Sequence, residues 1–146
     1  GRIVMQDSEK FEGFKQKMID DNENKYGKEA RAKYGDEKMD LANQKIKDMS
    51  RKQYAELESL SSSLNDTLKA AMAEGEPGGE LAQKAAELHR RWLGFFWDSY
   101  SPEAHAGLAR MYVEDERFCE YYDKIQAGAA EFLRDAILIY TGMNKQ

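Results

Sequence analysis

Two histidines, His89 and His105, and one cysteine, Cys119, are the side chains best suited to nucleophilic, acid–base or metal chemistry. Paired helical metal ligands stand three or four residues apart, because that spacing puts both on one face. Glu87 and His89 are two apart, as are Glu103 and His105, so neither pair shares a face. No metal site or cofactor is predicted. His105 reads instead as a wall residue of an amphipathic helix, hydrogen-bonded through one ring nitrogen. A single cysteine excludes an internal disulfide framework and any multi-thiolate centre. Glu120, next to Cys119, raises the thiol pKa and so disfavours the nucleophilic thiolate. No Gly-x-Ser-x-Gly, phosphate-binding loop or dinucleotide fingerprint occurs, and the Gly75–Gly79 run is turn chemistry. Nothing in these patterns points to an enzyme.

Aromatic density is the unusual feature. Nine of the sixteen aromatic residues lie between Trp92 and Tyr122. Read as a helix, the run from Trp92 through Phe96 and Trp97 is apolar around most of its circumference, so it is either covered on several sides or lines a cavity. Gly94 within it permits the close approach of a ligand or of another backbone. Tyrosine and tryptophan combine an apolar face with one polar atom, which suits bulky amphipathic ligands. A plain helical core is the other reading of the same residues.

These residues are placed by a succession of helices. Phe11, Phe14 and Met18 follow helical spacing after Ser8, with Gly27 and Gly35 as breaks, and Asp36 opens a helix bearing Met39 and Ile46. Ser50 and Gln53 have the form of a capping box. They precede a stripe of Tyr54, Leu57, Leu60, Leu64, Leu68 and Met72 that ends at the Gly75–Gly79 loop. A further helix carries Leu81, Ala85, Leu88, Trp92 and Phe95. Ser101-Pro102 is an N-cap followed by proline at the first helical position. The helix it opens bears His105, Leu108, Met111 and Tyr112. Asp115 caps a short helix with Phe118, Tyr121 and Tyr122, and a last one runs from Ile125 to Tyr140 and stops at Gly142. The fold class expected is all-α, an irregular domain of about six or seven helices.

Composition agrees. The 146 residues suit one domain, and only two valines, six isoleucines and two threonines leave little for a sheet. A net charge of −5 disfavours direct contact with nucleic acid or an anionic membrane. No apolar run is long enough to span a bilayer, and the chain reads as intracellular and cytoplasmic. Leu, Ile, Val and Phe total 25, of which residues 1–55 hold seven and residues 80–140 fourteen. The second half can build a core, whereas the first needs help. Residues 1–7 read as a linker or cloning remnant, residues 8–142 as one domain, with residues 8–75 as N-terminal helices and 76–142 as its core.

Four blocks carry a resemblance: Glu87 to Leu93, Tyr100 to Val113, Asp115 to Lys124 and Ala130 to Ile137. With Glu9 to Glu12 and Lys33 to Asp36, they closely resemble the TipAS-type antibiotic-recognition domain, the effector domain of some MerR-type transcriptional activators. The resemblance implies a globin-like all-α fold without haem, whose N-terminal helices form a mobile lid over an apolar cleft for large, varied antibiotics or hydrophobic drugs. It implies walls from Trp92, Phe96, Tyr100, His105, Leu108, Met111, Tyr112, Phe118 and Tyr122, and a lid bearing Phe11, Phe14, Tyr26 and Tyr34. It further implies a homodimeric full-length protein whose DNA-binding part lies outside this fragment. Family members that capture thiopeptides covalently carry a cysteine just after the motif histidine. Gly107 stands in that place here, so binding is expected to be reversible. The alternatives are a stand-alone antibiotic-sequestering protein and a haem-binding globin-like protein ligated through His89 or His105.

Overall fold

The computed structural model describes residues 7–24, 28, 32 and 35–144. Seven helices and no strand occur among them: α1 (Asp7–Asn22), α2 (Asp36–Asp48), α3 (Arg51–Glu74), α4 (Glu80–Leu93), α5 (Pro102–Glu114), α6 (Glu116–Asp123) and α7 (Ala129–Thr141). The all-α expectation is met. Tyr26, Tyr34 and the break expected at Gly27 lie outside the described residues. No described helix is long and apolar enough to cross a membrane.

Several helix starts follow their local chemistry. The Ser50 hydroxyl accepts from the Gln53 amide at 3.1 Å, while the Gln53 side chain accepts from the Ser50 amide at 2.9 Å, so two otherwise orphaned donors are satisfied reciprocally. The Ser101 hydroxyl accepts from the Ala104 amide at 3.0 Å ahead of Pro102. The Asp115 carboxylate accepts from the Arg117 amide at 2.9 Å and caps α6. The α6–α7 turn passes through Gly128 at φ 86°, a left-handed conformation that a side chain would strain.

The chain divides into two compact units, Gly1–Glu56 with Phe95–Asp98, and Leu57–Gly94 with Ser99–Gln146. The division falls inside α3 rather than at the Gly75–Gly79 loop, because the apolar stripe of α3 from Leu57 onward packs with the later helices.

The C-terminal unit is built on small residues. Ala82, Ala85 and Ala86 of α4, Ala106 and Ala109 of α5, and Ala129, Ala130 and Ala136 of α7 are all essentially inaccessible. Alanine on facing helices lets the axes approach closely, and α7 accordingly packs on α4, α5 and α6. Leu68, Leu133, Ile137, Tyr112 and Tyr122 fill the space between them.

In the N-terminal unit a lysine does the equivalent work. Lys15 of α1 is 2% exposed, and its ammonium donates to the carbonyls of Lys47 at 2.6 Å and Met49 at 2.9 Å. These groups close the C-terminal end of α2, where unpaired carbonyls carry the negative end of the helix dipole. Glu12 pairs with the same ammonium at 2.9 Å, and the Phe11 ring lies 4.6 Å from it. Lys45 of α2 donates to the Trp97 carbonyl at 2.7 Å and stands 3.5 Å from Asp98, which ties the 95–98 segment into this unit.

One helix boundary corrects the sequence reading. The helix expected to run into Phe96 and Trp97 ends at Leu93, and the Gly94 amide turns back onto the carbonyls of Arg90 and Arg91. Its closing partners are thus its own last turn. A Cβ at Gly94 would press on the Arg91 carbonyl at 3.1 Å, so the close approach permitted there is to its own helix.

Candidate functional site

The C-terminal unit brings both histidines together. His89 on α4 and His105 on α5 are fully buried, with parallel rings whose centroids are 5.0 Å apart. Nδ1 of His89 meets Nε2 of His105 at 2.9 Å. Nε2 of His89 meets the Tyr112 hydroxyl at 3.0 Å, and Nδ1 of His105 meets the Tyr100 hydroxyl at 2.7 Å. Tyr112 in turn hydrogen-bonds Tyr122. His105 is therefore bonded through both nitrogens, not one as the sequence led us to expect. All four ring nitrogens are engaged, so ligation of a haem iron by either histidine would cost a buried hydrogen bond.

Burial dictates the charge of this run. Desolvation, reinforced by the neighbouring His105, pushes His89 down to about 3. Desolvation first, and then the Arg90 guanidinium, pushes His105 down to about 4. Both imidazoles are neutral near physiological pH. Burial also drives the Tyr122 phenol well above its usual range. At the outer end, the Arg90 guanidinium lies over the Tyr100 ring at 4.1 Å and reaches the Tyr140 hydroxyl at 3.4 Å.

The remaining candidate residues divide by exposure. Tyr112 and Tyr122, at 2% and 5%, are core side chains whose rings lie 4.7 Å apart, and the Phe118 ring packs 5.4 Å from Tyr112. Trp92, Tyr100, Leu108, Met111 and Phe118 are half-buried and keep part of their surface outward. Trp92 faces His89 at 5.6 Å. Phe96 belongs to the N-terminal unit, where it too is half-buried. In that unit Phe11 and Phe14 of α1 both set their rings edge-on to Tyr54, at 5.3 and 6.1 Å. Phe14 is 63% exposed.

Sequence reasoning missed His89 as a partner of His105. Its signal was present: Ala85, His89 and Trp92 share a helical face, so His89 sits within the apolar stripe of α4.

No group of three or more His, Cys, Asp or Glu that could hold a metal occurs among the described residues. The Cys119 thiol stands 3.7 Å from an Asp123 carboxylate oxygen, and partial burial followed by that carboxylate raises its pKa. Both effects disfavour the thiolate, and a Cβ at Gly107 would meet nothing within 4 Å. The protein incubated with a dehydroalanine-bearing thiopeptide is expected to keep its intact mass. An adduct on Cys119, the only cysteine, would contradict the reading.

Fold and site together define an all-α domain in which two buried imidazoles and their tyrosine partners form one hydrogen-bonded cluster. The TipAS antibiotic-recognition domain model matches residues 26–140. The chain belongs to that family. It is 31% identical over 138 residues to the HTH-type transcriptional activator TipA of Streptomyces coelicolor, covering 93% of this chain and 53% of TipA. It is 25% identical over 140 residues to the HTH-type transcriptional activator mta of Bacillus subtilis, covering 96% of this chain and 54% of mta. The chain thus spans about half the length of the curated relatives it matches. The solved structure of Streptomyces lividans TipAS in complex with nosiheptide, from a thiopeptide antibiotic multidrug resistance system, superposes with a TM-score of 0.70. That match is 27% identical in sequence and covers 99% of this chain and 100% of that one.

Proposed function

We propose that this domain binds bulky, largely apolar antibiotics of the thiopeptide kind, reversibly, as the sensing part of a longer transcriptional regulator. The observation that carries the reading is the match along nearly the whole chain to TipAS in complex with nosiheptide. The half-buried side chains of the C-terminal unit, Trp92, Tyr100, Leu108, Met111 and Phe118, are assigned to guest contact. His105, Tyr112 and Tyr122 support them from inside the core. Phe11, Phe14 and Phe96 of the N-terminal unit are proposed as contacts on the family resemblance alone. Contact of this type gains about 25 cal/mol per Å² of apolar surface removed from water, less the cost of ordering side chains and loops. With few directional polar groups, such a surface discriminates weakly among guests. DNA binding is proposed for a longer protein, in keeping with its HTH-type relatives, and homodimerisation on the family resemblance alone.

Titration with nosiheptide, followed by calorimetry and tryptophan fluorescence, tests the reading. Saturable binding is expected, with affinity lowered at least tenfold by Trp92→Ala or Met111→Ala while helicity is unchanged. Absence of binding, or binding indifferent to both substitutions, would overturn it. The same panel extended to amphipathic drugs is expected to raise Tm for several of them, and a flat panel would indicate a purely structural helical module.

A further inference from the structure

Four side chains of the C-terminal unit form an unbroken hydrogen-bond run, Tyr100–His105–His89–Tyr112. A neutral imidazole carries one N–H donor and one bare acceptor nitrogen. The 2.9 Å contact between Nδ1 of His89 and Nε2 of His105 therefore needs a proton on one of these atoms and not on both. If Nε2 of His105 carries it, Nδ1 of His89 is bare and the His89 proton sits on Nε2, donating to Tyr112. Nδ1 of His105 is then bare as well and accepts from the Tyr100 hydroxyl. In the opposite arrangement both protons sit on Nδ1: Tyr112 donates to His89, His89 to His105, and His105 to the Tyr100 oxygen. The two histidines consequently share one tautomer. A mixed pair would set proton against proton or lone pair against lone pair.

Each arrangement contains one O–H···N, one N–H···N and one N–H···O bond, and the bond of Tyr112 to Tyr122 follows the same polarity, Tyr112 donating to Tyr122 in the first and accepting from it in the second, so bond inventory does not choose between them. Their ends do. Tyr112 is buried at 2% exposure, whereas Tyr100 is half-buried. We propose that Tyr100, His105, His89 and Tyr112 act as one relay of two polarities, whose locked histidine tautomers decide whether the Tyr100 hydroxyl meets a guest as acceptor or as donor. The guest-facing half of this inference rests on the binding function proposed above.

Distances assign the resting polarity. Donation by a hydroxyl gives shorter contacts than donation by a ring N–H, about 2.7–2.8 against about 2.9–3.0 Å. Tyr100 to His105 measures 2.7 Å and His89 to Tyr112 measures 3.0 Å. In the resting relay Tyr100 donates inward, His105 donates to His89, and His89 donates to Tyr112. The Tyr100 oxygen then offers lone pairs outward, ready for an amide N–H or hydroxyl of the guest. A guest carbonyl at the same point is met by the opposite polarity: one proton passes along the run to Tyr112, Tyr112 releases its own through Tyr122 to solvent, and Tyr100 regains one from water, with no ring displaced. One hydroxyl thereby serves guests of either polarity, which a fixed donor could not.

Long-range proton–nitrogen correlation on ring-labelled histidines reads the tautomers directly. In the free protein at neutral pH both are expected as Nε2–H. Tyr112→Phe keeps the ring but leaves an Nε2–H of His89 with no acceptor, so both histidines are expected to move to Nδ1–H, including His105, which does not touch residue 112 through its nitrogens. Tyr100→Phe removes the acceptor for Nδ1–H of His105, so both are expected to remain Nε2–H. One histidine of each tautomer, or a folded Tyr112→Phe protein with unmoved tautomers, would overturn the relay. Should Tyr112→Phe fail to fold, Nδ1–H in either ring of Tyr100→Phe would overturn it. Saturation with nosiheptide is expected to move the His105 nitrogen resonances, and binding that leaves them unmoved would overturn the role given to Tyr100. Failure of nosiheptide to bind would overturn the binding function and the guest-facing half with it, while the free-protein tautomers judge the coupling alone.

Discussion

Lowering the pH from ~7 to ~5 is expected to cost the protein about 4 kcal/mol of unfolding free energy, about 2 for each histidine. His89 and His105 have folded values of about 3 and about 4 against an ordinary 6.5. In the unfolded chain both take up protons as the pH falls below 6.5, whereas the native state refuses them. Their contribution is thus complete above 6.5, and shrinks as the pH falls until His105 and then His89 protonate in place. The refusal has a structural cause: burial strips an imidazolium of water, and His105 beside His89 and the Arg90 guanidinium beside His105 add repulsion. Asp115, held below 3.8 by Arg117, adds loss only in more acidic solution. Urea denaturation followed by helical circular dichroism across this range measures the effect. A flat profile between ~7 and ~5 would show that the imidazoles are not kept neutral by the fold.

Lys15→Met is expected to destabilise the N-terminal unit by about 3 kcal/mol, from the loss of two charge-assisted hydrogen bonds at about 1.5 kcal/mol each. The substitution retains most of the apolar stem but strands the carbonyls of Lys47 and Met49, together with the Glu12 carboxylate. Amide exchange separates this from a global effect. Protection at Ile46 to Met49 should fall steeply while that of α7, whose Leu133, Ala136 and Ile137 are inaccessible, stays unchanged. Equal protection at Met49 in both proteins would show that the ammonium does not hold α2.

Much of the helical framework was legible before any coordinates. Ser50 with Gln53, Ser101 with Pro102, and Asp115 each announce a helix start through contacts no more than three residues long, and the structure forms all three. The stripe on α3 was readable for the same reason, since helical period alone puts Leu57, Leu64 and Leu68 on one face. The end of α4 was not. Apolar character at Phe95, Phe96 and Trp97 argued for continuation, but hydropathy does not report where a chain turns, and Gly94 closes the helix there.

The candidate site divides in the same way. The clustering of aromatic residues between Trp92 and Tyr122, and the resemblance to the TipAS domain, were properties of the sequence alone, because both depend on residue identity and order. The pairing of His89 with His105 joins residues 16 apart on two helices, and Lys15 meets carbonyls 32 and 34 residues away. No local rule specifies such partners; they exist only once alanine-faced helices have closed together and water has left the polar groups nothing else to bond. Helix starts, charge and family were settled by the order of residues. Which buried groups hold one another, and that the histidines are neutral, was decided by packing.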